Sequence, residues 1–255
     1  MTETSSTNVT TIIVLMLAAG AVLALPVLRA RQLGYGLVQY LVYLFGFVMA
    51  RVLWRAEVIG HLPVDRKSGA VIICNHRGPF DPAFIQLAAD RVVHWMVARE
   101  YCTHPLFAWM FRAVGAIPVN RGGIDTAATK LAIRHAQAGE LVGMLPEGRI
   151  NLTDQLLLPG RPGAALVALK SRVPVIPCYI TGSPMGKTVY GSLFKPAHAR
   201  LVIGDAIDIS EYYGREREPG VLEEVTKRLL SAIAELAGEP EFEPTLAGRQ
   251  WKPAD

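Results

Sequence analysis

The chain has 255 residues, enough for one sizeable α/β domain with appendages. A hydrophobic fraction of 51% and a mean hydropathy of +0.28 are high for a soluble enzyme. The net charge is +4, but residues 1–204 hold 20 basic against 10 acidic side chains. A basic surface beside apolar segments suits an anionic membrane and phosphorylated substrates. We find no helix-turn-helix, zinc-finger or aromatic–basic RNA motif, which argues against nucleic acid as a partner.

Two apolar runs without charged residues open the chain, at 4–28 and 32–50. The first is long enough to span a bilayer, and the second is at the short end of that range. An arginine pair follows each run, and two full spans would place one pair outside, against the positive-inside rule. We expect one span with the N-terminus outside, then a segment lying in the cytoplasmic leaflet. A re-entrant hairpin and a buried core helix are the alternatives for the second run.

Strand-like and helix-like patterns then alternate, which predicts an α/β fold with a largely parallel sheet flanked by helices and preceded by N-terminal membrane helices. Prolines in the run 173–180 place that strand at an edge or a bulge. We predict strands at 70–74, 92–97, 115–119, 141–145, 175–180 and 199–203, the last at a sheet edge. We predict helices at 80–90, 105–114, 125–137, 162–170 and 221–237.

The predicted organisation is therefore a membrane-anchoring segment at 1–56, an α/β domain at 57–238 and a loosely ordered tail at 239–255. The three cysteines, Cys74, Cys102 and Cys178, are far apart, which argues against a disulfide framework and against a zinc site. We expect a membrane protein whose domain lies on the reducing, cytoplasmic side.

His76 directly follows the strand at 70–74, and Asp81 comes after four intervening residues that include a Pro-Phe turn. An aspartate bonded to one ring nitrogen fixes the tautomer, so that the other nitrogen can act as a general base. No serine in a nucleophile-elbow context and no obvious catalytic cysteine lies nearby, so the pair would activate a substrate hydroxyl. The alternative is that Asp81 simply caps the helix that follows.

Polar clusters follow three predicted strand ends, at 75–81, 120–123 and 147–151. Sites in open α/β sheets lie at the carboxyl ends of strands, so we expect these clusters to converge. Arg121 in a glycine-rich turn suits a phosphate, and Glu147 with Arg149 would orient a hydroxyl and hold a phosphate. Taken singly, each also fits a surface arginine or an ion pair in a turn.

These segments, with the proline-containing strand, resemble in their order the glycerolipid acyltransferase family typified by lysophosphatidate acyltransferase, over roughly residues 70–184. The hydrophobic front end is also similar to the membrane-docking helices of that family. The resemblance assigns catalysis to His76 and Asp81, and substrate binding to Asn75, Arg121, Glu147, Gly148, Arg149 and Pro177.

The resemblance implies transfer of a fatty acyl group from acyl-CoA or acyl carrier protein to a lysophospholipid hydroxyl, foremost that of 1-acyl-glycerol-3-phosphate. No cofactor, metal or covalent intermediate is then required. One departure concerns the third motif, in which Arg149 follows Gly148 directly and Ile150 holds the usual arginine position. This order resembles domains that reacylate lysophosphatidylethanolamine. That reaction, thioester hydrolysis and a non-catalytic membrane-binding protein of the same fold are the alternatives.

Overall fold

The computed structural model describes residues 16, 24, 27–120, 125–186 and 189–248. The strands in this part of the chain are β1 (Glu57–Ile59), β2 (Ala70–Cys74), β3 (Val93–Ala98), β4 (Ile117–Val119), β5 (Leu141–Met144), β6 (Val175–Thr181) and β7 (Arg200–Ile203). They form one sheet in the order β1-β7-β6-β2-β5-β3-β4. Neighbouring strands are parallel except β6 and β7. The predicted α/β fold with a largely parallel sheet is confirmed.

Residues 27–32 are helical. The helices that follow in the described part of the chain are α1 (Leu37–Val48), α2 (Asp81–Ala88), α3 (Arg99–Cys102), α4 (Ala108–Ala113), α5 (Thr126–Gln137), α6 (Gly163–Ser171), α7 (Val189–Leu193) and α8 (Val221–Leu236). A π-helical turn, Met49–Leu53, continues α1, and a 3₁₀ turn covers Ser210–Tyr212. The five predicted helices are present with ends within three residues of those expected. α3 and α7 were not predicted, because four or five residues are too few to show a helical period.

Strand β2 lies in the middle of the sheet and is buried along its whole length. Val71 and Ile73 face the layer formed by α5, α6 and α8. The alternate residues Ala70, Ile72 and Cys74 face α2 and Trp54 on the other side. Burial on both faces is what parallel sheets require, and it gives the residues just after β2 a rigid support.

The predicted edge position of the strand at 199–203 is wrong. β7 lies between β1 and β6, because the three-residue strand β1 pairs with it from Glu57 to Ile59. A strand this short carries no alternating pattern that sequence reasoning could detect. The edges of the sheet in the described residues are β1 and β4.

Pro177 lies in β6, an interior strand, so the predicted edge position is wrong here too. The Pro177 carbonyl accepts a hydrogen bond from the Gly204 amide at 2.9 Å, so its nitrogen also faces the chain that follows β7. The register shifts by one residue at this point, as shown by the pairs Cys178–Ile203 and Val175–Ile207. This irregularity is a bulge, the other predicted possibility, and it spares the sheet a ladder bond that proline could not make.

The predicted span within residues 4–28 lies almost entirely outside the described residues. Among those the structure describes, no helix combines the length and the apolar character needed to cross a bilayer. The second apolar run instead forms α1, a helix of 12 residues. The tail, expected to be loosely ordered, is anchored at Thr245 and Ala247 by backbone hydrogen bonds of 2.9 Å to Gly160.

Candidate active site

The centre of the site is the turn between β2 and α2, which brings Asp81 back to His76. The His76 Nδ1 and Asp81 Oδ2 atoms are 2.9 Å apart. The aspartate is fully buried, whereas 15% of the histidine side chain is exposed. With its proton on Nδ1, the ring keeps a lone pair on Nε2, the nitrogen that can accept a proton from a substrate.

Both carboxylate oxygens of Asp81 are occupied by protein donors. The amides of Arg77 and Gly78 donate to Oδ2 at 2.6 and 2.8 Å. The Ser183 hydroxyl donates to Oδ1 at 2.6 Å. Asp81 is the first residue of α2, whose N-cap is Phe80, and these bonds of its side chain go to residues outside the helix, so the capping alternative does not describe its role. Sequence reasoning missed Ser183, although it follows the end of β6 and polar residues at strand ends were the signal for the other clusters.

Asn75 links two strands instead of facing the open site. Its Nδ2 donates to the Ile180 carbonyl at 2.9 Å, and its Oδ1 accepts from the Ile180 amide at 2.7 Å. The residue is buried, and both ends of its amide are used. The expected contact of Asn75 with the substrate does not fit this geometry, because the side chain is buried and both of its polar atoms already bond to Ile180.

Glu147 lies behind the histidine and holds the backbone on which the ring is mounted. Oε1 accepts from the His76 amide at 2.7 Å, and Oε2 accepts from the Leu158 amide at 2.8 Å. Burial raises the pKa of Glu147 to about 8, although both amides and the Arg77 charge favour the ionised form. Because the side chain is fully buried, the expected contact of Glu147 with the acceptor does not fit either.

The turn that follows β5 holds His76 by a second bond, which brings two of the predicted clusters together. The Asn151 amide donates to the His76 carbonyl at 2.7 Å. Asn151 is buried, and its side chain bonds to Thr153 and Gln155. The sequence predicts a polar cluster at 147–151 but gives Asn151 no role of its own, because only the fold shows that its backbone reaches His76.

Two arginines lie beside the exposed Gly148. Gly148 has a φ of +71°, and a Cβ on it would lie 2.8 Å from Arg161 Cδ. Arg149 is partly buried. The Arg161 Nε is buried and has no hydrogen-bond partner among the described residues. A guanidinium with an unused donor at a strand end is suited to an anion. Arg161 was not predicted.

Two predicted residues remain, Arg121 and Pro177. Arg121 lies outside the described residues. The residues flanking its turn are fixed by a 3.0 Å bond from the Asn120 amide to Asp125 Oδ2. Pro177 is buried within the sheet, so a direct contact with the substrate does not fit its position.

An apolar cavity of about 240 Å³ begins at the turn that carries the histidine. Pro79 and Phe80 of that turn form part of its wall. Helices α1, α2 and α4 and strand β3 supply the rest, through side chains such as Phe47, Leu87 and Trp95. Its shape and lining suit a hydrocarbon chain placed next to the histidine.

Comparisons with known proteins identify the family of the chain. A family model described as Acyltransferase matches residues 55–181. A 1-acyl-sn-glycerol-3-phosphate acyltransferase of Bacillus subtilis is 27% identical over 173 residues, covering 66% of this chain and 82% of the relative. One from Streptococcus pneumoniae is 28% identical over 177 residues, covering 66% of this chain and 63% of the relative.

The crystal structure of the 1-acyl-sn-glycerophosphate (LPA) acyltransferase PlsC from Thermotoga maritima shares the fold. It aligns with a TM-score of 0.59 at 22% sequence identity, covering 86% of this chain and 89% of the other. The family match and these named relatives place the chain in an acyl-transferring class of enzyme. The chain belongs to the acyltransferase family that this model describes and is an O-acyltransferase.

Proposed function

We propose that this enzyme transfers a fatty acyl group from a thioester, acyl-CoA or acyl carrier protein, to the free hydroxyl of 1-acyl-glycerol-3-phosphate. The observation that carries the proposal is the 2.9 Å contact between His76 Nδ1 and Asp81 Oδ2 beside an apolar cavity. The names of the Bacillus and Streptococcus relatives support the choice of acceptor.

The proposed reaction needs one base and no covalent intermediate on the protein. His76 Nε2 takes the proton of the acceptor hydroxyl while its oxygen attacks the thioester carbonyl carbon. The carbon–sulfur bond breaks, and the thiolate of the carrier leaves and takes up the proton. Asp81 holds the ring in the reactive tautomer and orientation. In this mechanism no cofactor or metal is required.

Cationic side chains at the strand ends would hold the acceptor phosphate. Arg161 lies against Gly148, Arg149 is the next residue in the chain, and Arg121 is assigned the same task by the family motif. Fixing the phosphate fixes the hydroxyl near His76, which lowers the entropic part of the barrier. The apolar cavity would take the acyl chain of the donor.

We propose that the enzyme works at the cytoplasmic surface of a membrane. Leu37, Leu41 and Phe45 lie one turn apart on α1 and are each more than half exposed. Such a stripe suits insertion into the interfacial part of a leaflet. Other side chains of the same helix line the cavity. A lipid could therefore pass from the leaflet to the site without crossing water.

The order Gly148-Arg149-Ile150 favours a second candidate, reacylation of lysophosphatidylethanolamine. The test is acyl transfer from labelled acyl-CoA by the purified full chain in detergent or vesicles, with both lysolipids offered separately. His76→Ala should abolish transfer while the exposed-histidine control His61→Ala retains it. Full activity of His76→Ala would overturn the mechanism. If neither lysolipid is acylated, acyl carrier protein is tested as donor, and silence there as well would favour a non-catalytic membrane-binding protein.

A further inference from the structure

A second cluster of chemically active side chains lies at the opposite end of the sheet from His76. It consists of His94 near the amino end of β3, His135 in the last turn of α5, and Glu140 just before β5. One ligand atom from each lies within 4.8 Å of the others. The proposed acyl transfer uses none of the three, so their arrangement calls for another explanation.

The end of α5 holds two of these side chains together. Gly139 adopts a φ of +86°, and the Glu140 amide donates to the His135 carbonyl at 3.0 Å. The chain therefore folds back so that Glu140 Oε2 contacts His135 Nδ1. The Glu140 carbonyl accepts from the Ala70 amide at 3.3 Å, which ties this turn to β2.

His94 presents a lone pair to the same carboxylate. Its Nδ1 bonds to the Gly115 carbonyl at 2.8 Å, which places the ring proton on Nδ1 and leaves Nε2 free. Nε2 lies 3.6 Å from Glu140 Oε2. Gly115 has a φ of +65°, and a Cβ there would lie 2.8 Å from His94 Nδ1, so the glycine permits this contact. A histidine whose second nitrogen donates to a backbone carbonyl is the usual form of a metal ligand.

We propose that His94, His135 and Glu140 form a binding site for a divalent transition-metal ion such as Zn²⁺. Two imidazoles and one carboxylate match the ligand preference of zinc and its neighbours. The two rings are stacked, with centroids 4.1 Å apart, so chelation requires the His135 ring to turn toward Nε2 of His94. The His135 side chain is 24% exposed at a helix end, and that of Glu140 is 46% exposed, so both can move.

The bound ion would replace the proton that His135 shares with Glu140. Water would complete the coordination on the exposed side of Glu140. The ion would cross-link β3 to the end of α5, and through Gly115 it would fix the turn that precedes β4. Its effect is therefore on stability, and the site binds metal whether or not the acyl-transfer proposal holds.

The test is binding of Zn²⁺ and Co²⁺ to the full chain without an affinity tag, after dialysis against a chelator. We expect one ion per chain by calorimetry, a visible ligand-field absorption with Co²⁺, and a higher melting temperature with Zn²⁺. Glu140→Gln and His135→Ala should each weaken binding by at least about tenfold and abolish the thermal shift.

The matched control is His198→Ala. His198 pairs with Glu57 at 3.1 Å, so it offers a second histidine–carboxylate pair, a more exposed one, without a third ligand. This variant should bind the ion as the unchanged protein does. Cys102→Ser should do so too, because the partly exposed thiol is not a member of the cluster. Equal affinity in all variants, or no binding to the unchanged protein, would overturn the proposal.

Discussion

Glu147 offers the sharpest test of how the site is built, because it is an ionisable group buried behind the reacting histidine. Its two oxygens accept the amides of His76 and Leu158 at 2.7 and 2.8 Å. Burial raises its pKa from an ordinary value of 4.5 to about 8. Glu147→Gln keeps the shape of the side chain and removes its titration.

The raised pKa fixes the sign of the expected effect. Between about pH 5 and pH 8 the folded protein holds nearly one more proton at this position than the unfolded chain does. The unfolding free energy of the unchanged protein therefore falls as the pH rises, by up to about 1.4 kcal/mol per pH unit and by roughly 5 kcal/mol over the whole interval between the two pKa values. This stabilisation is fully present below the unfolded pKa of 4.5 and is lost as the pH passes through about 8. The glutamine variant lacks this contribution.

The assay is urea unfolding of both proteins in the same detergent, at pH values from about 5 to about 8. Other titrating groups are common to the two proteins and cancel in the difference of their unfolding free energies. We expect the stability of the unchanged protein relative to the variant to decrease steadily across this range. A difference that stays flat, or that grows with pH, would refute the reasoning, since Glu147 would then be ionised in the folded protein throughout.

Three further variants test separate parts of the site. Arg161→Ala should raise the KM for lysophosphatidate by about tenfold or more with little change in melting temperature, because a charge-assisted bond is worth about 1.5 to 3 kcal/mol. The control is Arg217→Ala, a substitution of an exposed arginine. An unchanged KM in the Arg161 variant would show that Arg161 does not bind the acceptor. Ala83→Phe narrows the apolar cavity and should shift the preference among acyl-CoA donors to shorter chains; the same chain-length profile as the unchanged enzyme would place the acyl chain elsewhere. Asn75→Ala leaves the buried amide and carbonyl of Ile180 without their partners. The unfolding free energy, measured by urea unfolding, should therefore fall by about 2 kcal/mol or more. A loss under about 0.5 kcal/mol would contradict the role of Asn75 in linking the two strands.

The geometry that depends on short sequence spacing could be predicted from the residues. The apolar run before His76 indicated a buried strand, and four intervening residues with a proline were enough to bring Asp81 back to the ring. The helix at 125–137 was equally local, since Asp125 caps it through a 2.9 Å bond from the Ala128 amide. In both cases the partners lie within a few residues, so the sequence contains both halves of the contact.

The roles of the other polar residues could not be predicted, because they depend on how deeply each side chain is buried. Ser183 reaches Asp81 across 102 residues of sequence, and Asn75 meets Ile180 across 105. No local pattern records such pairings. For Pro177 the sequence left an edge and a bulge open, because the choice depends on the pairing with the neighbouring chain, which becomes visible only in the sheet.

A residue that belongs to a motif therefore does not necessarily contact the substrate or take part in the reaction. A buried polar group must use its donors and acceptors inside the protein, or it costs about 1 to 3 kcal/mol per unsatisfied group. Asp81 and Glu147 meet this requirement. In the proposed mechanism the exposed edge of His76 and the Arg161 guanidinium face the substrate. Variants of the buried residues Asp81 and Glu147 should lose stability and turnover together. Variants of His76 and Arg161 should lose kcat/KM without losing stability. Melting temperature and kcat/KM measured on the same set of proteins will therefore separate the residues that support the site from those that react with or bind the substrate.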